Sequence, residues 1–403
     1  MYRQLRLAAS VFLLLVLTLG PGLSPATAAA GSASAKTGGS STSAPGVQAA
    51  EKLSQITGIA ISPLLGVGAV GAYRYLHTPE KDRANLSWYS NPLFWIPALL
   101  VVGVCMAKDT LGTVLPTSLK KPLDVLELFE NKVSGLVATG AVVPMAMEVF
   151  KAVNPPGASL FPTGAEFPFA AMDFSWMGNL LMVPLALLVY ASVWVVSHTI
   201  HVLILVSPFS TVDAALKAFR AGLLATVAGT HWINPNLGAL WAGLIALICI
   251  VLAGWAFRLA VFGHVFAWDL LTFRHRRFTP DPRENWAFSG TGLSSVANRT
   301  YGRVERADSG GLVFKHRPFL VLTERTTSVP AGSHEIGRGL IHPELLGIEG
   351  DSSACVLNFP PRFKGGEAAL ASACDAHGVR DIGLRAAIAW IKGALGFGTA
   401  TAQ

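Results

Sequence analysis

His198 and His201 stand three residues apart inside 175–206, a run almost free of charge. In a helix they share one face. Two imidazoles on a buried face can relay a proton or hold a metal ion, and ionisable side chains in apolar helices mostly face a bundle interior. Two histidines without a third ligand do not make a catalytic zinc site, so no metal is expected. Their closeness to Pro208 also allows a plainer reading, in which both bond backbone or water near an interface. Asp124 and Asp213 are a second candidate, each shortly after a proline, Pro122 and Pro208. As a pair they would offer carboxylates for coupling a cation or proton. Taken singly, each opens a helix, where a carboxylate offsets the dipole and accepts from free N–H groups. His231 and Asn234 belong to His231-Trp232-Ile233-Asn234-Pro235-Asn236, which interrupts a hydrophobic segment as Pro144 interrupts another. Interrupted segments at matching places point to a solute site; a plain external turn accounts for them too.

Enzyme signatures are missing. No G-x-S-x-G, H-E-x-x-H or Walker loop occurs, so no catalytic residue and no cofactor are expected. Gly66-Val67-Gly68-Ala69-Val70-Gly71 spells G-x-G-x-x-G, but it lies in an apolar segment with no preceding strand. It reads as helix packing through small residues. Cys105, Cys249, Cys355 and Cys374 have no metal-site spacing. The first two lie in apolar runs, and the last two pair only if their domain faces an oxidising compartment.

The elements that must position these residues follow from composition. Hydrophobic residues make up 52% of the chain and charged residues 14%, against about 25% charged in soluble proteins. Residues 92–107, 175–206 and 236–267 are almost charge-free, whereas 274–392 has soluble composition. Residues 1–30 read as a signal peptide: Arg3 and Arg6, an apolar stretch Val11 to Leu19, then Ala28-Ala29-Ala30. An uncleaved anchor is the alternative. Residues 31–53, rich in Gly, Ser and Ala, read as a flexible linker. Candidate spans are 55–76, 92–107, 133–153, 175–206, 222–233 and 236–267, of which 55–76, containing Pro63 and four glycines, reads as broken, re-entrant or interfacial rather than as one straight span. Amphipathic stretches 117–132 and 208–221 are placed along the interface. Lysines and arginines in 108–132, in 208–221 and at Arg274, Arg276 and Arg277 assign those connections to the cytoplasm, and 154–174, with no Lys or Arg, to the outside.

Leu123-Asp124 followed by Gly135-Leu136-Val137-Ala138-Thr139 echoes Val212-Asp213 followed by Gly222-Leu223-Leu224-Ala225-Thr226. This suggests a parallel internal repeat. The run Pro122-Leu123-Asp124-Val125-Leu126-Glu127-Leu128-Phe129 with Gly135-Leu136-Val137-Ala138 resembles an uncharacterised bacterial family of multi-span membrane proteins, a domain of unknown function, over about 55–265. The resemblance implies an inner-membrane helical bundle and supplies no activity.

After the linker 271–298, residues 299–397 read as a soluble α+β domain. Leu312-Val313-Phe314, Phe319-Leu320-Val321-Leu322 and Ala354-Cys355-Val356-Leu357 are β-prone, with helices at 366–376 and 381–395. The order of elements, with Phe359-Pro360-Pro361-Arg362-Phe363, loosely resembles bacterial pleckstrin-homology-like domains found after membrane spans. The expected fold is therefore mainly α: a polytopic bundle of about five spans over 54–270, with a parallel repeat and a small α+β domain on the cytoplasmic side. Expected partners are the lipid bilayer and a protein bound by the C-terminal domain; a homo-oligomer stays open. Nucleic acid is excluded: the net charge of +7 sits beside hydrophobic segments rather than in a stripe with aromatics. The function this predicts is a membrane-anchored scaffold whose C-terminal module binds a partner or a lipid headgroup. The alternative is a small-solute or ion transporter, or a channel-like bundle, with a regulatory domain.

Overall fold

The computed structural model describes residues 45–111, 117–153, 175–207, 210–307, 310–350, 352–383 and 385–386. The signal peptide and most of the expected linker, 1–44, lie outside the described residues, as does the connection 154–174. The chain divides into two compact units, Met1–Ala253 and Gly254–Gln403.

The first unit is helical: α1 Pro45–Ile61, α2 Pro63–His77, α3 Pro92–Leu111, α4 Thr117–Val153, α5 Ser175–Val206 and α6 Ser210–Ile233. Helix α7, Pro235–Leu271, begins here and runs on into the second unit. The break between α1 and α2 is a consequence of Pro63, which has no N–H to donate. Ser62 takes φ −140°, ψ 88° at that point. Small side chains let the helices approach: Ala138, Ala141 and Val142 of α4 share a core with Ile56, Ile59 and Val67, and with Val189 and Val193 of α5. Glycine does the same where a Cβ would collide, at Gly71 with the Tyr89 carbonyl and at Gly135 with the Trp194 indole. The G-x-G-x-x-G letters are thus packing positions: a Cβ on Gly66 would lie 2.6 Å from Ile59 Cα and one on Gly68 3.1 Å from Leu99.

The polytopic bundle expected from the sequence is not what forms. Among the described residues two helices are long and apolar enough to cross a membrane, Val183–Val206 within α5 and Pro235–Leu271. The other apolar runs are used differently. Segments 55–76 and 133–153 turn their apolar faces onto one another in the core, and carry Arg74 and Glu148 among them. Segment 222–233 is too short, about 18 Å of helix. Stretches 117–132 and, from Ser210 onward, 208–221 are not separate interfacial helices but the first turns of α4 and α6. The two halves of the expected repeat are also packed differently: a Cβ on Gly135 meets Trp194, whereas one on its counterpart Gly222 meets nothing within 4 Å. The expected linker 31–53 is helical from Pro45 onward.

The second unit is larger in β-structure than expected. Its eight strands form one sheet in the order β4-β3-β2-β1-β7-β6-β5-β8. They are β1 Glu284–Ser289, β2 Tyr301–Arg306, β3 Leu312–His316, β4 Arg325–Ser328, β5 Ser333–Arg338, β6 Pro343–Glu349, β7 Ser352–Asn358 and β8 Val379–Asp381. Two antiparallel meanders, β1 to β4 and β5 to β7, join where Phe288 pairs with Asn358 and Ser289 with Leu357. Strand β8 adds in parallel to β5. Helix α8, Glu367–Ala373, packs Leu370 on a core of Phe314, Ile336, Leu345, Leu357, Phe359 and Phe363. Strand β1 lies inside the expected linker, and 319–322 is an exposed turn rather than a strand. Strand β8 ends at Asp381, where the second helix is expected to start; residues 383 and 385–386 are helical, and beyond residue 386 the chain lies outside the described residues. All four cysteines are thiols, so no bridge joins Cys355 to Cys374.

Candidate functional site

His198 and His201 both face the interior, 4% and 5% exposed, with ring centroids 6.4 Å apart. The residues that meet them come from α4, distant in sequence, and from α6, the next helix along the chain. His198 stacks on Trp194, and its Nδ1 lies 3.0 Å from Oδ1 of the buried Asn131. His201 Nε2 meets the Arg220 guanidinium and lies 3.7 Å from Glu127 Oε1. Lys217 Nζ approaches the other Glu127 oxygen at 3.8 Å. The network reaches the α1–α2 break. There the Ile61 carbonyl, left over at a helix end, accepts from Ser197 Oγ at 2.8 Å and Arg220 Nε at 3.2 Å.

These groups edge a cavity of about 370 Å³, lined by Glu127, Glu130, His201, Lys217 and Arg220 together with Leu64, Val101 and Leu224. Burial pushes the Glu130 carboxyl above its usual range, although a hydrogen bond from Ser134 and the charge of Arg220 pull the other way. The set combines two carboxylates, two cations and an imidazole with apolar side chains. Such a surface suits a solute with one charged and one apolar end, or a proton shared among fixed acids and bases.

The remaining sequence candidates do not join it. Asp213 is buried in the first turn of α6, where a carboxylate favours the helix dipole. Asp124 lies in the second turn of α4 or beyond rather than at its start, and its side chain is outside the described residues. Asn234 caps α7, its Oδ1 accepting from the Asn236 N–H at 2.8 Å. His231 sits in the same tight turn, where a Cβ on Gly238 would lie 2.6 Å from His231 Cα. The interrupted segment is therefore a capped helix–helix turn. Among the described residues no three His, Cys, Asp or Glu side chains gather as a metal site. Glu127, Glu130, Asn131, Lys217 and Arg220 are missed from the sequence. The readable signal is that Glu127/Glu130 and Lys217/Arg220 are i, i+3 pairs of opposite sign on two helices.

A second charged group joins α1, α2 and α4. Glu148 receives a two-pronged bond from Arg74, 2.8 and 2.6 Å, and an ion pair from Lys52 at 2.8 Å. Arg74 also donates to the Tyr89 hydroxyl at 2.5 Å. Burial opposes the Glu148 charge, but the bonds from Arg74 and Lys52 outweigh it and hold that carboxyl below its usual range. No protein-family model, no curated protein and no solved structure matches this chain.

Proposed function

We propose that this chain is a membrane-anchored scaffold, held in the bilayer by α7 and presenting its sheet domain at the membrane surface to a protein partner or a lipid headgroup. One observation carries the reading. Along α7, Leu237, Leu240, Leu244, Ile248, Leu252 and Trp255 are all exposed at helical spacing, a face of apolar residues that water would not favour and lipid would. The apolar window of α7 is 33% buried, against 67% for that of α5, so α5 reads as a core helix and α7 as the lipid-facing one. Arg274, Arg276 and Arg277 follow α7, which favours the cytoplasmic side of a bacterial inner membrane for the sheet domain. The test is an alkaline carbonate wash of membranes combined with phosphatase fusion after Gln403. The reading expects retention and an inactive fusion. Release by carbonate, or an active phosphatase, would overturn anchor or orientation respectively.

The cavity beside His201 favours a second reading, a small-solute or ion-handling role for the first unit. Cysteines placed at Val101 and Leu224, two lining positions, would then react with a charged thiol reagent from water and be shielded by the solute. Inert cysteines would remove this reading.

A further inference from the structure

Residues 235–257 carry no Asp, Glu, Lys or Arg, and Arg258 is the first charge on α7. At about 1.5 Å per residue this charge-free stretch is about 35 Å long, slightly more than the roughly 30 Å hydrocarbon thickness of a bilayer. Arg258 therefore falls at headgroup depth if α7 is the anchor. Around it, within the second unit, lies a cavity of about 180 Å³ lined by Arg258, Arg299, Arg317, Arg325 and His316, and by no Asp or Glu. That is below the roughly 300–1,000 Å³ of sites for drug-sized molecules, and suits a single anionic group.

Four guanidiniums in one concavity repel one another unless an anion joins them. Arg317 has one, Glu324 at 3.5 Å. Arg299 rests over the Phe262 ring at 5.4 Å, and Arg258 Nε donates to the Asn298 carbonyl at 3.1 Å. Among the described residues, no carboxylate lies within ion-pair distance of Arg258, Arg299 or Arg325. Beside the cavity, Phe319, Leu320, Val321 and Leu322 form an apolar tip, with Val321 81% exposed. Phe319 and Leu320 hold φ of 54° and 64°, and Arg299 62°. Side-chain-bearing residues avoid this region, and such strain gathers at ligand sites.

We propose that this cavity binds the phosphate of an anionic phospholipid headgroup while the 319–322 tip enters the adjoining leaflet. Guanidiniums match phosphate oxygens two at a time, and the apolar tip separates a lipid from a free anion. The inference rests on the scaffold reading, since it needs α7 in the membrane.

The test uses the purified full-length chain in uncharged detergent, following its unfolding midpoint during titration with short-chain phosphatidylglycerol, phosphatidylcholine or inorganic phosphate. Phosphatidylglycerol is expected to raise the midpoint saturably, and the other two are not. Each lost arginine weakens that affinity about fivefold, so R258Q/R299Q/R325Q weakens it about a hundredfold. If that variant does not fold, exposed Arg325→Gln alone is expected to show the fivefold loss, and V321S/L322S a loss for lipid. Equal responses to phosphatidylglycerol and phosphatidylcholine would overturn the proposal; so would an equal response to inorganic phosphate, which would assign the site to a free anion. Release of the wild type by carbonate would sink the anchor reading instead. Retention without lipid preference would remove only this site.

Discussion

Gly135 and Gly222 hold corresponding places after Asp124 and Asp213, yet their surroundings differ, and substitution separates them. A methyl group on Gly135 forces the Trp194 indole away from its stack with His198. Overpacking of this kind costs about 1–3 kcal/mol. Gly222 faces open space, so Gly222→Ala gains about 0.5–1 kcal/mol of helix preference. Melting of the two variants in detergent should move in opposite directions; equal shifts would refute the difference in packing. In the second unit, the fully buried Asp269 accepts from Arg362 Nε at 2.7 Å and from its backbone N–H at 3.2 Å. Removing one member leaves a buried charge and costs about 3–5 kcal/mol. Arg362→Met should therefore be severe, and Asp269→Leu with Arg362→Met milder than either change alone. A double variant worse than both would refute the account.

At the scale of elements, the α1–α2 break is tied from outside by Arg220 and Ser197, both bonding the Ile61 carbonyl. Arg220→Ala should raise amide exchange at 59–67 while leaving α7 protected; uniform exchange would show a global effect instead. The sheet titrates. Burial first, then the charge of Arg325, holds the His316 imidazole below its usual value. Burial and then His377 do the same for His334. The unfolded chain, with imidazoles near about 6.5, takes up protons first as pH falls. Stability is therefore full above that pH and declines as pH drops toward the lowered folded-state values. Replacing both histidines by Gln should flatten the decline, as read from urea unfolding at pH 7.5 and 5. The sequence shows the Pro63 break, β3, β7 and α8, because each is written locally in a proline or in a short apolar period. It hides β1, where buried Asn285 interrupts the alternation by bonding the Asp281 backbone. It misleads at 319–322, where an apolar run is exposed. The His201 network is invisible for another reason: its members meet only when α4, α5 and α6 pack, and hydropathy does not report which faces meet.

For the whole molecule, the proposed anchor makes membrane retention depend on few positions, because the exposed apolar stripe on α7 is short. An arginine at a helix centre costs about 2.5–3.5 kcal/mol on insertion scales. Leu244→Arg with Ile248→Arg should release much of the protein from carbonate-washed membranes. Equivalent arginines at exposed Thr326 and Ser328 of the sheet should not. Hydropathy marks six candidate spans where, among the described residues, two helices are long and apolar enough, since an apolar run buried against other helices has the composition of an exposed one.

The join between β1 and β7 also sets a clock for synthesis. Strand β1 ends at Ser289 and its partner ends at Asn358, so roughly 70 residues must be added before that edge can close, about 4–14 s at ribosomal speed. Through that interval β1 to β4 can form a meander with one open side, carrying Phe288, while the chain is still attached to the ribosome. A nascent chain stalled at residue 350 should therefore be held by chaperones or clipped by protease, and one stalled well past 381 should resist both.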